Sequence, residues 1–514
     1  METAADDKPG FRRDTWPIWA LGLINVALHM AFANGYGIFR DELYYLVCSE
    51  RLDWGYVDHP PFSIGLLALQ RALLGDSLYA IRFLPSLAAG LAVVLFGLIA
   101  REMGGGRYAQ VLASVTALVM PVYHGMSSFY SMNSLDVLFW CAIVLVVCRI
   151  ANSGDTRLWL LVGILAGFGL QNKFSVAFLG SVLVVGLALT QHRKHFSSPY
   201  LYAGGAIALL IFLPNLIWMY RTDWITFEFM RNAGKYKNTP TDPIQYFADQ
   251  FLMAHPFTLP VWLGGIAYCL FGAAVRPYRL FAIMFVSLFV LFSLTNGKAY
   301  YLAPAYGLVV PAGALAAERA LGRPRTRWMR GVFAAVLIAG GALTAPLALP
   351  ILPPETLTAY ELALGMSSPR EEVGHTAALG QHFADRFGWE ELTHAVSNVF
   401  ESLDADEQTR CAVVCSNYGQ AAAIDWFGRR YGLPNAIAGH NNYWLWGPRG
   451  ATGEVVIAVG GVYQGLRDLF EEGGEVARAG HPYAIENDVP IWLFRRMKAG
   501  LSVEGVWANA RELI

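Results

Sequence analysis

Charge is scarce in this sequence. Only 15% of the 514 residues are Asp, Glu, Lys or Arg, whereas soluble domains carry about 25%, and 55% of the residues are hydrophobic. The formal net charge is -1, so no basic excess favours a nucleic acid as partner. This balance excludes an ordinary soluble protein. It predicts that the lipid bilayer is the main partner of the chain.

Paired cysteines, metal-ligand clusters and internal repeats are also lacking. The six cysteines are scattered, and Cys411 and Cys415 lie too far apart along a predicted strand for an easy disulfide or a shared metal. Since no dedicated ligand cluster is present, the sequence does not indicate a particular cofactor. Whether a divalent metal ion serves as cofactor is left open. The lack of repeats disfavours the inverted-repeat transporter folds. The first apolar run has no small-residue cleavage site, so it is predicted to be a retained first span.

Long apolar runs are what the sequence has in abundance. They lie near 16–38, 79–100, 108–123, 135–150, 158–170, 174–190, 199–219, 256–275, 279–295, 299–317 and 331–352. Such runs, or pairs of shorter ones, match a hydrocarbon layer of about 30 Å. The predicted inner loops, such as 101–107 and 276–279, are short and basic, as the positive-inside rule requires. We therefore predict a polytopic α-helical membrane protein with about eleven transmembrane helices and a cytoplasmic N-terminus.

Two loops predicted to lie outside the cytoplasm are long and aromatic. They comprise residues 39–78 and 220–255. Within the first loop, residues 62–75 are too few to span a bilayer and include Gln70 and Arg71. This segment is therefore predicted to form a helix that lies in the membrane interface.

The composition changes after Pro354, where charged residues become frequent. Strand-length apolar runs lie at 411–415 and 455–459, and helical stretches at 420–431 and 463–472. The alternation favours an α/β domain. We predict a transmembrane domain over 1–352 and an extracytoplasmic α/β domain over 353–514, since an odd number of spans places the C-terminus outside.

One segment of the C-terminal domain, GHNNYWLWGP at 439–448, is dense in aromatic and amide groups. Such groups bind sugars, but buried tryptophans are commonly structural. An ordinary core loop is the slightly favoured interpretation, and a loop that selects the acceptor is the other.

Carboxylates occupy the predicted outer side. Asp41 and Glu42 follow the first span, and Asp136 begins a later one. Each has a simple structural explanation, because a carboxylate at a helix end is more often a solvated cap or a partner of the helix dipole than a catalyst. His59 precedes two prolines that fix its turn, which on spacing alone is most simply a turn.

Cations accompany these carboxylates. Lys173 separates two apolar runs, Arg231 lies in the second outer loop, and Lys298 interrupts apolar sequence. Snorkelling to the interface and ligand binding explain such a lysine equally well. Taken together, the set matches an inverting transfer from a lipid phosphate, which needs a carboxylate base for the acceptor hydroxyl and cations for the leaving phosphate.

Six segments, in this order, resemble glycosyltransferase family 39 of the C-type (GT-C) membrane enzymes. The segments are DELYY at 41–45, HPP at 59–61, NSLDVLFW at 133–140, GFGLQNKFS at 167–175, DWITFEFMRNAGKYKN at 223–238 and NGKAYYLAPAY at 296–306. This family includes protein O-mannosyltransferases and the lipid A aminoarabinose transferase. The resemblance covers residues 1 to about 350.

The resemblance implies a glycosyltransferase of the inner membrane. Its donor would be a polyprenyl-phosphate-linked monosaccharide, and its acceptor an extracytoplasmic protein, lipid A or another glycan. Asp41 is then expected to be the catalytic base and Asp136 the second acidic residue of the site. His59 stands where several relatives have a lysine. The residues expected to bind substrate are Glu42, Tyr45, His59, Lys173, Arg231, Lys298, Tyr300 and Tyr301.

Other classes of protein stay open at this point. An oligosaccharide ligase or polymerase with a polyprenyl-pyrophosphate donor is expected to place arginines in a large outer loop, and Arg221 and Arg231 meet that condition. A secondary transporter would use buried charges as ion sites near the membrane midplane. A sensor with a large anchor is a third class, although a single span would suffice for it.

Overall fold

A computed structural model describes residues 11–237, 242–365 and 378–513. Residue 238, the last of the fifth motif, lies outside these ranges. The chain forms two compact units. The first comprises Met1–Ala33, Arg82–Pro214 and Thr241–Ile351, and the second comprises Asn34–Ile81, Asn215–Pro240 and Leu352–Ile514.

The first unit is helical. Its α-helices, including two that hold most of their residues in this unit, are Phe11–Ala31, Leu78–Glu102, Arg107–Val119, Pro121–Ser127, Met132–Ser153, Leu158–Asn172, Ser175–Ala188, Pro199–Arg221, Pro243–Met253, Leu259–Phe271, Arg279–Leu294, Tyr306–Ala320 and Met329–Thr344. Short 3-10 helices are Gln191–Ser197, Pro256–Thr258, Ala273–Tyr278, Ala299–Ala305 and Ala345–Leu347. Their shared apolar core confirms the prediction of a polytopic helical protein.

By length and composition, six helices among the described residues are able to cross a membrane, and nine if each bent pair forms one span. The predicted number of about eleven is higher. The difference lies in the first helix, Phe11–Ala31, whose segment Thr15–Ala31 is a shorter apolar helix, and in Leu158–Asn172, which has 15 residues. All eleven predicted apolar runs nevertheless fall on helices.

Glycines set the closest helix packing of the first unit. A Cβ atom on Gly265 would overlap the carbonyl oxygen of Val309, and one on Gly313 would overlap that of Val261. The helices Leu259–Phe271 and Tyr306–Ala320 therefore pack backbone to backbone. Small residues allow this arrangement in membrane helices because van der Waals contact drives their association.

The second unit combines helices with a sheet. Its helices are Arg40–Ser49, Phe62–Leu74, Ile225–Asn232, Pro354–Ala363, Gln381–Ala384, Trp389–Glu401, Ala405–Arg410, Tyr418–Phe427, Asn442–Leu445, Tyr463–Leu466 and Val503–Ala508, with a π-helix at Ala233–Lys237 and 3-10 helices at Gly428–Tyr431, Gly460–Val462 and Arg467–Leu469. The helix predicted at 62–75 is present as Phe62–Leu74.

The sheet has four strands in the order β1-β2-β4-β3, with β1 Cys411–Cys415, β2 Val455–Val459, β3 Phe470–Ala479 and β4 Val489–Met497. β1 and β2 pair in parallel, whereas β4 pairs antiparallel with both β2 and β3. Both strands predicted from sequence are confirmed as β1 and β2, whose residues are almost entirely buried.

The helix predicted over 463–472 ends earlier than expected. It stops at Leu466, and the chain enters β3 at Phe470. β3 has mostly exposed residues at the sheet edge and contains Gly473 and Gly474, so it lacks the alternation that identifies a strand. Pairing with β4 determines its conformation.

The two units divide the chain differently from the predicted domains. Their last boundary lies between Ile351 and Leu352, and the second unit also contains Asn34–Ile81 and Asn215–Pro240. The division into a transmembrane domain over 1–352 and an extracytoplasmic domain over 353–514 stays a prediction. The helix Pro243–Met253, within the predicted outer loop 220–255, belongs to the first unit.

Candidate active site

In the second unit, the candidate base Asp41 lies in the first turn of the helix Arg40–Ser49, called here the Asp41 helix. The hydroxyl of Tyr418 donates a hydrogen bond to Asp41 Oδ1 over 2.7 Å. The Asp41 side chain is 41% exposed, and Arg40 Nε lies 3.9 Å from the same oxygen. The structure thus presents an accessible carboxylate that is held in place by a phenol.

Tyr418 is the first residue of the helix Tyr418–Phe427, called here the Tyr418 helix, which follows β1 directly. The Asn417 side chain caps this helix by accepting hydrogen bonds from the amides of Gly419 and Gln420. Glu486 accepts hydrogen bonds from the side-chain amides of Asn417 and Gln420, each at 2.6 Å. A capped turn at the end of a buried strand therefore fixes the position of Tyr418.

A second carboxylate, Asp58, lies beside this pair. Tyr44 donates its hydroxyl to Asp58 Oδ1 over 3.1 Å, and the rings of Tyr44 and Tyr418 are 4.9 Å apart. Burial raises the pKa of Asp58, and the negative charge of Asp41 raises it further, against an opposing effect of His59. Asp58 directly precedes His59 in the chain, and nothing in the local spacing marks it as a neighbour of Asp41.

Three residues expected to bind substrate are buried in the second unit. His59 is 1% exposed and stacks on Tyr45 at 4.5 Å between ring centroids. Glu42 is fully buried, and its carboxylate accepts a hydrogen bond from the backbone amide of Phe39. The side chains of His59, Tyr45 and Glu42 are thus surrounded by other residues of the protein. Their role in substrate binding stays a prediction.

Arg231 has a different environment. It is exposed in the last turn of the helix Ile225–Asn232. The predicted contact with substrate is compatible with this exposure and stays a prediction.

In the first unit, Asp136 and Lys173 form a buried pair. Lys173 Nζ lies 3.6 Å from Asp136 Oδ2 and donates a hydrogen bond to Asn133 Oδ1 over 2.8 Å. Ser175 Oγ donates to Asp136 Oδ1. Asp136 is fully buried, whereas 13% of the Lys173 side chain is exposed. The structure therefore brings together two of the residues predicted from sequence, and adds Asn133 and Ser175.

Lys173 also contacts aromatic rings. Its Nζ lies 5.7 Å from the ring centroids of both Tyr300 and Tyr301, within the range of a cation–π interaction. Lys298 is part-buried and precedes the 3-10 helix Ala299–Ala305, and its carbonyl oxygen accepts a hydrogen bond from the amide of Tyr301. Four predicted residues of the first unit, Lys173, Asp136, Tyr300 and Tyr301, thus form one cluster.

The described residues contain no group of three or more His, Cys, Asp or Glu side chains that could hold a metal ion. Sequence reasoning did not identify Tyr418, Asn133 or Ser175 as members of a site. Asn133 and Ser175 do lie within the motifs NSLDVLFW and GFGLQNKFS, so their motifs provided a signal. Tyr418 had no such signal, because it lies 377 residues from Asp41 in the chain.

Solved structures establish the class of fold. The structure of ArnT from Cupriavidus metallidurans bound to undecaprenyl phosphate superimposes with a TM-score of 0.63 and 13% identity, over 92% of this chain and 97% of that one. An oligosaccharyltransferase of Archaeoglobus fulgidus reaches a TM-score of 0.51 with 13% identity, over 82% of this chain and 64% of that one. The chain is a multi-pass membrane protein with an ArnT-like fold.

Residues 58–218 match the PMT_2 family model, described as dolichyl-phosphate-mannose-protein mannosyltransferase. Over this region the chain is similar to that family, which confirms the resemblance predicted from the motifs. Undecaprenyl phosphate-alpha-4-amino-4-deoxy-L-arabinose arabinosyl transferase 1 of Pseudomonas fluorescens is 26% identical over 219 residues, covering 38% of this chain and 40% of that protein. The lipopolysaccharide core galacturonosyltransferase RgtB of Rhizobium johnstonii is 26% identical over 220 residues, covering 40% of this chain and 43% of that protein. The alignments thus span less than half of each relative.

Proposed function

We propose that this protein is a glycosyltransferase that moves a single sugar from a polyprenyl-phosphate carrier to an extracytoplasmic acceptor, with inversion at the anomeric carbon. The observation that carries the proposal is the accessible Asp41 carboxylate, positioned by Tyr418 in the first turn of the Asp41 helix. The family match over residues 58–218 and the names of the relatives support a lipid-phosphate donor.

Asp41 acts as the general base in this proposal. The acceptor hydroxyl oxygen forms a bond to the anomeric carbon while the bond from that carbon to the phosphate oxygen breaks. The acceptor proton passes to Asp41, and the electron pair of the broken bond leaves with the polyprenyl phosphate. Because a phosphate is a good leaving group, cations that stabilise its negative charge suffice and no general acid is needed.

The basic residues of the first unit are proposed to bind the donor phosphate. Lys298 and Lys173 supply positive charge, and Tyr300 and Tyr301 supply hydroxyl groups and ring faces beside Lys173. Asp136 is fully buried against Lys173, so we assign it the role of holding the ammonium group in position. Arg231 is a further candidate for the phosphate because it is exposed.

The carrier and the orientation follow from the same proposal. Undecaprenyl phosphate is the carrier named for the bacterial relatives, and we propose it here. The short basic loops are proposed to face the cytoplasm of an inner membrane, with the N-terminus on that side and residues 353–514 outside. The acceptor is then a protein, lipid A or another glycan on the outer side.

A donor panel tests the proposal. Purified protein in proteoliposomes is given radiolabelled monosaccharides on synthetic undecaprenyl phosphate, with bacterial membrane fractions as acceptors. Transfer of label from one of these donors supports the proposal. Transfer only from an oligosaccharide on polyprenyl pyrophosphate would indicate the ligase or polymerase class, and uptake of a solute without transfer would indicate a transporter.

A further inference from the structure

We propose that Tyr418 is a positioning residue for Asp41, so that the C-terminal α/β region supplies part of the active site. This inference rests on the proposed role of Asp41 as base. The contact that carries it is the hydrogen bond of 2.7 Å from the Tyr418 hydroxyl to Asp41 Oδ1. That length is typical of a hydrogen bond donated by a hydroxyl to an oxygen.

The phenol of Tyr418 is itself held firmly. Its ring lies 4.9 Å from that of Tyr44 and 5.0 Å from that of His440, and the residue is 5% exposed. Its backbone amide donates to His440 Nδ1 over 3.3 Å. A buried ring that is packed on two sides has little conformational freedom left. The Tyr418 hydroxyl therefore holds the Asp41 carboxylate in one position.

Close helix packing supports the same contact. A Cβ atom on Gly419 would lie 2.6 Å from Arg40 Cγ and 3.1 Å from a ring carbon of Trp389. Only a glycine next to Tyr418 lets the Tyr418 helix approach the Asp41 helix at this distance. Gly419 is therefore a second residue, beside Tyr418, whose type fits the contact between the two helices.

The contact has a chemical consequence for the base. Both Tyr418 and Arg40 approach Asp41 through Oδ1, so Oδ2 is the oxygen assigned to the acceptor proton. A hydrogen bond donated to Oδ1 fixes the rotamer of the carboxylate and thereby the direction of Oδ2. Tyr418 therefore acts on the reaction through Asp41 and needs no contact with substrate.

Replacement of the hydroxyl alone tests this role. Tyr418→Phe is expected to lower kcat for sugar transfer by about 10-fold while the KM for the donor stays within about twofold. The loss is expected in kcat and not in KM, because the carboxylate loses the contact that fixes its orientation while the donor site is untouched. Tyr431→Phe, in the same region, is the matched control and is expected to leave both quantities unchanged.

A double-mutant cycle tests the contact without any assay of transfer. The thermal unfolding midpoints of the wild type, Asp41→Asn, Tyr418→Phe and the double variant are expected to be non-additive, because the two side chains interact.

Gly419→Ala is expected to lower kcat for sugar transfer in the same way as Tyr418→Phe, since its Cβ displaces Arg40. Gly461→Ala, where a Cβ meets no atom within 4 Å, is its control.

Each result has a definite meaning. Additive midpoints would overturn the contact, and an unchanged kcat of Tyr418→Phe with coupled midpoints would overturn the positioning role. If the wild type transfers sugar and Asp41→Asn does so equally well, the proposed base is wrong and the role of Tyr418 is wrong with it. Coupled midpoints together with a lowered kcat and an unchanged donor KM support the inference.

Discussion

The ammonium group of Lys173 lies 3.6 Å from Oδ2 of the fully buried Asp136. A buried charge that loses its only ionic partner is costly, since water no longer solvates it. The pair links the start of the helix Met132–Ser153 to the residue that follows the helix Leu158–Asn172. It therefore determines both the packing of these helices and the position of the ammonium group.

Removal of one partner of this pair is predicted to destabilise the protein. Asp136→Asn leaves the Lys173 charge buried and is expected to cost about 3 kcal/mol of unfolding free energy. The double variant Asp136→Leu with Lys173→Met removes both charges and is expected to recover most of this lost unfolding free energy. It is not expected to transfer sugar, because the Lys173 charge is missing. Unfolding in detergent, followed by tryptophan fluorescence, measures both. A double variant less stable than Asp136→Asn would contradict this account.

Lys298 is predicted to act on donor binding. Lys298→Gln keeps a polar side chain but removes the charge, and is expected to raise the donor KM by about 10-fold, as loss of a charge-assisted hydrogen bond does. Lys194→Gln, at an exposed position of the first unit, is the control. Equal KM values in the two variants would show that Lys298 does not contact the phosphate.

Asp58 is predicted to limit stability at neutral pH. Burial raises its pKa in the folded protein above the unfolded value of 3.8, with a further contribution from Asp41. The folded state then binds more protons than the unfolded state in the window between the two pKa values, so stability falls as pH rises through that window. Asp58→Asn is expected to raise the unfolding midpoint at pH 7 by a few degrees and to flatten this dependence. An unchanged pH dependence would show that Asp58 ionises as readily in the folded protein as in the unfolded chain.

Much of the fold was predictable because membrane helices and buried strands have strong patterns. Every predicted apolar run falls on a helix, and the runs at 411–415 and 455–459 are β1 and β2. The polar edge strand β3 was not predictable, because its pairing with β4 rather than its own composition determines it. The sequence predicts about eleven spans, whereas six to nine helices among the described residues are long and apolar enough to cross a membrane, because apolar composition alone does not determine helix length.

The candidate site was predictable only where motifs mark it. Asp41, Asp136 and Lys173 lie in segments that resemble a known family, and the structure pairs the last two directly. Tyr418 lies in no such segment and reaches Asp41 only through the packing of two helices far apart in the chain. Sequence also gave no indication that Glu42 and His59 are buried, because a charged residue near an apolar run is compatible with either environment.

The central claim is that Asp41 is the base for sugar transfer from a lipid phosphate. The most direct test measures the transfer rate of purified Asp41→Asn beside the wild type and beside Asp76→Asn, whose carboxylate belongs to the same unit and is 53% exposed. We predict that Asp41→Asn retains its fold and its affinity for the donor but transfers sugar at least about 1000-fold more slowly, while Asp76→Asn resembles the wild type. Transfer by Asp41→Asn at a rate near that of the wild type would contradict the account.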